Sequence, residues 1–253
     1  MKLKLHEVFI GSLLILLSIS FLNISQNNYS TSDLYLLYFS YLPIYEHQII
    51  YQIIVSTIHL FWGIYFFSKY ITNEISQNGC YIFTRTNNRK LWLLKNYTDI
   101  FKNLLFYYLF QFIFIFIIAY INKLKFIFST NSFFSLLVVF FSTVLTSYII
   151  IIFCNTVSLF IKEVYSYIFT ISILIINTYL VNFFYINSLY DFIKYLPFSQ
   201  NMILLQNYCF INREIFKNFI HTFNPLYSFL YSFFILSLLL FISIKKISSM
   251  EIL

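Results

Sequence analysis

Six stretches of the chain carry no charged residue and are long enough to cross a bilayer as helices: Val8 to Ile24, Ile49 to Phe67, Leu104 to Ile121, Phe133 to Cys154, Val164 to Ile186 and Leu226 to Ile244. A helix needs about 17 to 25 apolar residues to span the hydrocarbon core. Backbone amides in lipid must be satisfied within their own segment, so such runs become helices, and no alternating pattern suggests a barrel. The expected fold is an all-α integral membrane protein of six transmembrane helices forming one domain over residues 1–253.

The intervening stretches predict shorter elements. Between the first two runs, "LYLLYFSYLP" is too short to span and is expected to lie at the interface or dip into it. The large loop from Ser68 to Asp99 contains Asn78-Gly79, a tight-turn signal that suggests a small hairpin. Asn87 or Asn88 is placed to cap a helix leading into the third run, with Arg89 and Trp92 on one face. The last loop, Asn187 to Asn224, holds "LPFSQNMILLQN" and then Ile215, Phe216, Phe219 and Ile220 at helical spacing. That spacing predicts a short amphipathic helix capped by Asn212 and ended by Asn224-Pro225.

Composition agrees with a membrane solvent. Of 253 residues, 60% are hydrophobic and 10% charged, with a mean hydropathy of +0.79, where a soluble domain is about a quarter charged. Lys2 and Lys4 before the first run resemble the basic start of a signal peptide, but "FLNISQNN" at the end of that run offers no small-x-small cleavage site, so a retained span is expected. With six spans both termini share a side. That side holds eleven of the 16 basic residues, against five (Lys123, Lys125, Lys194, Arg213 and Lys217) on the other. The positive-inside rule then puts the termini in the cytoplasm of a multi-pass cell-membrane protein. The net charge of +7 reads as a topology signal rather than as nucleic-acid binding. The three cysteines fall at different depths, which argues against a disulfide or thiolate metal site.

Catalytic chemistry is thinly represented. His6, His47, His59 and His221 are scattered without a metal-binding pair, and three glycines cannot build a phosphate loop. No activated nucleophile or metal set is evident, so an intramembrane enzyme is disfavoured. All nine acidic residues lie in loops or at span edges, which disfavours ion-driven transport. Among polar residues within spans, His59, Gln111 and Asn177 are candidates for a substrate path, though a hydrogen bond to a neighbouring helix is the simpler role for each.

Residues 81–96, "YIFTRTNNRKLWLLKN", gather cations before the third run. In order, the loop at 68–99 carries Glu74, Gly79, Arg85, Arg89, Trp92 and Lys95 between the second and third runs. This order, the six-span topology and the Pro-containing outer segment from Leu196 resemble the permease subunits of ABC type 2 exporters. The basic-aromatic stretch also resembles small permeases of Gram-positive bacteriocin-immunity and antimicrobial-peptide export systems.

That resemblance implies a coupling loop at 68–99 that docks on a separate ATPase subunit, two copies of which serve two permeases of the same or a related chain. Glu74, Gly79, Arg85, Arg89, Trp92 and Lys95 would form the contact, with Glu163 in the next inner loop. ATP and Mg would bind the partner and no cofactor this chain, whose other partner is membrane lipid. The cargo would be a hydrophobic or amphipathic substance such as a peptide. The competing expectation is a stand-alone membrane immunity or binding protein that intercepts a membrane-active peptide without ATP.

Overall fold

The computed structural model describes residues 30–39, 49–85, 88–124, 130–207 and 220–250. The first expected span, 8–24, lies outside these residues, as do Arg213, Asn212 and the expected amphipathic segment up to 219.

The described residues form eight α-helices: α1 (Thr31–Phe39), α2 (Ile49–Phe67), α3 (Tyr70–Arg85), α4 (Arg89–Ile121), α5 (Thr130–Ser158), α6 (Glu163–Ile186), α7 (Tyr190–Ile193) and α8 (Pro225–Ser248), with a 3-10 turn at Ile203–Leu205. Four of them, α4, α5, α6 and α8, are long and apolar enough to cross a membrane. Their outer faces are apolar as well: Phe106, Ile113 and Tyr120 on α4, Ile168 and Tyr179 on α6, and Phe233 and Phe241 on α8 are all exposed. A water-facing surface would not carry so continuous an apolar face, whereas lipid accepts it.

α5 is the central helix and packs against α8, α6, α1, α2 and α4. Its apolar span tolerates Thr143, Ser147 and Thr156 because each hydroxyl donates back to the carbonyl four residues earlier, at 2.7 Å in all three cases. The face that α8 buries carries Ser228, Ser232 and Ser243. Small side chains of this kind let two membrane helices approach closely.

Helix ends have identifiable causes. α4 starts where the Asn88 side chain accepts from the Leu91 amide at 3.2 Å, and α8 where Asn224 accepts from the Tyr227 amide at 2.7 Å with Pro225 in the first turn. Asn224-Pro225 therefore opens the last helix. At the opposite ends, α4 and α6 close by one motif. After α4, Lys123 has φ 54° and the amides of Lys123 and Leu124 bond to the carbonyls of Tyr120 and Ala119. After α6, Ser188 has φ 59° and the amides of Ser188 and Leu189 bond to Tyr185 and Phe184. This is the Schellman arrangement, made here without the glycine that usually occupies its left-handed position.

Several expectations are corrected. α3 runs unbroken through Asn78 and Gly79, so there is no hairpin. Gly79 has no positive φ, and a Cβ there would meet Ile75 only at an ordinary 3.7 Å. The loop at 68–99 is mostly helix, because α3 fills its first half and the helix expected behind the Asn88 cap starts at Arg89 and runs on without a break through the span from Leu104. Its 33 residues extend about 50 Å, longer than a hydrocarbon core of about 30 Å, so its charged first turns can stand outside lipid. α5 likewise continues past Cys154 to Ser158, reducing the expected inner loop to a turn at Leu159 to Lys162.

α1 is enclosed by its neighbours: Leu34, Tyr35, Leu36, Tyr38 and Phe39 are all buried, and the Tyr35 hydroxyl donates to the Phe112 carbonyl at 2.6 Å. Residues 194–207 also fold back against the helices. Their irregular backbone is satisfied by side-chain amides: Gln200 Nε2 donates to the carbonyls of Lys194 and Leu196, and Gln206 Nε2 to the carbonyl of Gln200, each at 2.8 Å. Such segments persist at membrane depth only where protein supplies these partners.

Candidate functional site

The helix directions gather one end of the bundle from the start of α4, the end of α5, the start of α6 and the end of α8. Lys69, Arg89, Lys90, Lys95, Lys102, Lys162, Lys245 and Lys246 lie toward it, while Lys123 and Lys194 lie toward the other end among the described residues. The charge asymmetry expected along the chain is thus an asymmetry in space.

At this basic end an elbow joins α2 to α3. The last carbonyls of α2 and the first amides of α3 have no partners within their own helices. Asn155 of α5, fully buried, serves both: its Nδ2 donates to the Phe67 carbonyl at 2.9 Å and its Oδ1 accepts from the Ile71 amide at 3.3 Å. Beside it, Glu163 pairs with Lys69 at 3.5 Å and accepts from the Thr72 hydroxyl at 3.4 Å. Glu163 occupies the first turn of α6, where the helix dipole favours a carboxylate. The elbow is therefore held by α5 and α6 together.

From the elbow, α3 packs with Tyr70 and Ile71 buried and turns Asn73, Ser76 and Gln77 outward. Spacings of three and four put these three residues on one stripe. Glu74 is half-buried, and both it and Asp99 raise the pKa of the Tyr70 hydroxyl, after the larger effect of burial. Arg85 ends α3, and its side chain lies outside the described residues.

Arg89 donates to the Met250 carbonyl at 2.6 Å, which ties the start of α4 to the chain just beyond α8. Trp92 packs against the core, while Lys95 is exposed. A second tie lies one level deeper, where the Tyr97 hydroxyl donates to Ser243 at 2.9 Å and Thr156 lies 2.7 Å from the same oxygen. Of the residues expected to form a contact, Arg89, Trp92 and Glu163 are thus engaged inside the fold, and Lys95 is presented outward.

The second candidate group lies in the interior. His59 of α2 is 1% exposed, with ring centroids of Tyr38, Phe39 and Tyr108 between 5.2 and 5.7 Å away. Its Nδ1 is 3.1 Å from the Tyr108 hydroxyl, which is 2.6 Å from that of Ser147. The proton direction comes from counting. Ser147 has one proton and gives it to the Thr143 carbonyl, so Tyr108 donates to Ser147 and His59 Nδ1–H donates to Tyr108. This order puts the histidine proton on Nδ1 and aims no base at the serine within the group.

Tyr107 adds a bond to the His59 carbonyl at 3.2 Å. Gln111, one turn further along α4, is 1% exposed, and among the described residues its amide meets no partner in hydrogen-bond geometry. Asn177 is buried on α6 and shares no hydrogen bond with this group among the described residues. His59 and Gln111 are therefore brought together near Tyr107 and Tyr108, and Asn177 stands apart. No three His, Cys, Asp or Glu side chains converge among the described residues.

Reading the sequence missed Asn155, Tyr97, Tyr108 and Ser243. Asn155 was hidden at the edge of an expected loop; its signal is an amide near the end of an otherwise apolar helix. The tyrosines were hidden by their number, since 23 occur in the chain. No protein-family model, curated protein or solved structure matches this chain.

Proposed function

We propose that the chain is the permease subunit of an ATP-driven exporter of the ABC type 2 class, crossing the cytoplasmic membrane six times with both termini inside. One observation carries the reading. An amphipathic helix, α3, stands between two apolar helices at the basic end, fixed at its start by Asn155 and Glu163 and turning the polar stripe of Asn73, Ser76 and Gln77 outward. A surface helix that is rigidly joined to the bundle and polar on its outer face is suited to receive motion from a soluble partner.

In this reading the contact is made by that stripe together with Glu74 and Lys90, and Arg85 at the end of α3 remains with it. Arg89, Trp92 and Glu163 act as positioning residues, because their partners are internal. The ATPase subunits bind ATP and Mg, and two permeases form the path. The cargo is apolar or amphipathic, in the first instance a peptide, because α4 carries no charge after Lys102 and meets such a substance with aromatic and aliphatic groups.

Extraction in mild detergent tests the proposal. The protein should bring down an ATPase subunit, and Ser76→Arg on the stripe should abolish that association while leaving helicity and elution volume unchanged. A protein that never associates with an ATPase, yet protects cells from a membrane-active peptide, would instead be a stand-alone immunity protein.

A further inference from the structure

A groove of about 550 Å³ runs along the bundle between α4, α5 and α8. Val144, Leu145 and Tyr148 form its buried floor, and Phe134, Phe141 and Phe233, each more than half exposed, form its walls. From Phe134 to Tyr148 the groove runs beside α5 for about 21 Å, comparable with the roughly 15 Å depth of one leaflet. Its polar lining residues, Thr98 and Tyr148, are both at the basic end, and both hydroxyls are already committed. Thr98 donates to the Lys95 carbonyl at 2.7 Å and Tyr148 to the Tyr97 carbonyl at 3.0 Å. The groove thus offers an occupant apolar contact along its length and no hydrogen-bond donor.

Its basic end is different. Lys95, Thr98 and Lys102 succeed one another on α4 at spacings of three and four, so two exposed cations flank the residue that closes the groove. Neither lysine has an ion-pair partner among the described residues. Asp99, between them in sequence, instead bears on the Tyr70 hydroxyl of α3. Helical side chains lean toward the N-terminus, so Lys102 reaches back toward the headgroup level.

We infer that the groove holds one acyl chain of an anionic glycerophospholipid, with Lys95 and Lys102 gripping its phosphate at the basic end. The two exposed cations at its end favour a lipid over a helix of a second copy as occupant. Two cations beside a lipid-facing cleft are the chemistry that selects an anionic headgroup. The inference does not depend on what, if anything, the protein transports.

The test is native mass spectrometry of the full chain in mild detergent, with phosphatidylglycerol or phosphatidylcholine added at equal concentration. One phosphatidylglycerol should remain bound where phosphatidylcholine does not. The variant K95Q/K102Q, altered only at exposed positions, should weaken phosphatidylglycerol binding about twenty-five-fold at low salt, at roughly fivefold per cation. Leu145→Trp, which fills the floor, should expel the lipid with both charges intact. Equal binding of the two lipids, or unchanged phosphatidylglycerol binding in K95Q/K102Q, overturns the inference. So does a dimer that added lipid leaves intact and Leu145→Trp dissociates, because the occupant would then be a second copy.

Discussion

Replacing Asn155 with leucine should uncouple α3 from the bundle. The exchange keeps the branched four-atom skeleton and leaves no cavity, and what is lost is polar. The Phe67 carbonyl loses a donor at 2.9 Å and the Ile71 amide an acceptor at 3.3 Å, both in residues at most 3% exposed. A buried polar group left without a partner costs about 1–3 kcal/mol. Assigning about 2 kcal/mol to the shorter bond and about 1 kcal/mol to the longer gives about 3 kcal/mol for local opening, a factor on the order of 100 in the opening equilibrium. The third bond of the amide, to the Ile151 carbonyl four residues back, adds little, since that carbonyl belongs to the interior of α5. Hydrogen exchange read by mass spectrometry on peptides covering 66–75 measures the effect directly. Amides at the start of α3 should exchange about a hundredfold faster in Asn155→Leu, while those of α8 keep their wild-type rate. Asn155→Asp supplies an internal check: a protonated aspartic acid restores a donor and an acceptor, so protection should return as pH falls. Exchange at 66–75 within about threefold of wild type would show that the elbow is held by something other than this amide.

Four further outcomes are expected. Ser188→Gly relieves a left-handed residue at the end of α6 and should raise the unfolding free energy by about 0.5–1 kcal/mol in a detergent thermal melt; a fall would mean that the Ser188 side chain matters. Tyr108→Phe strands the His59 Nδ1–H and should cost about 1–3 kcal/mol in the same melt, with no loss refuting the proton order derived for that chain. Thr222 donates to Asp191 and, with Lys194 second, holds that carboxyl below its usual pKa. A depressed folded-state pKa contributes stability above the unfolded value of about 3.9 that is lost as pH falls through the folded one, so Thr222→Val should shift the carboxyl titration, monitored by carbon NMR, to higher pH. Arg89→Ala should speed exchange at 247–250 and leave α6 unaffected.

The long apolar elements were legible because lipid imposes one simple demand, a run of uncharged residues, and α4, α5, α6 and α8 each contain such a run. The runs also gave the ends of α4 and α6 at Ile121 and Ile186, but where a helix continues past its run they could not show how far. Charge tells where hydrocarbon stops, and α4 continues as helix from Leu104 back to Arg89, through Lys102, Asp99 and Lys95, because water-facing turns accept those residues. Asn78-Gly79 suggested a turn by local propensity, yet α3 passes through it while its packed start at Tyr70 and Ile71 fixes the direction of the helix. The two Schellman ends were invisible because Lys123 and Ser188 stand where glycine is the usual signal. Among candidate site residues, the position of Arg89 three residues before Trp92 was correctly anticipated from the Asn88 cap. That both would be spoken for inside the fold depended on the chain end near Met250, which no local pattern announces.

α4 contains neither proline nor glycine over its 33 residues, and helices without such interruptions bend little. It is in effect a rod of about 50 Å. A tilt of about 10° about one end would carry the other through a stroke of roughly 9 Å, a displacement set by length alone. The bonds from Arg89 to Met250 and from Tyr97 to Ser243 mean that α8 must travel with it. Any rocking of this bundle would then move two helices as one lever arm, with its longest throw at the basic end.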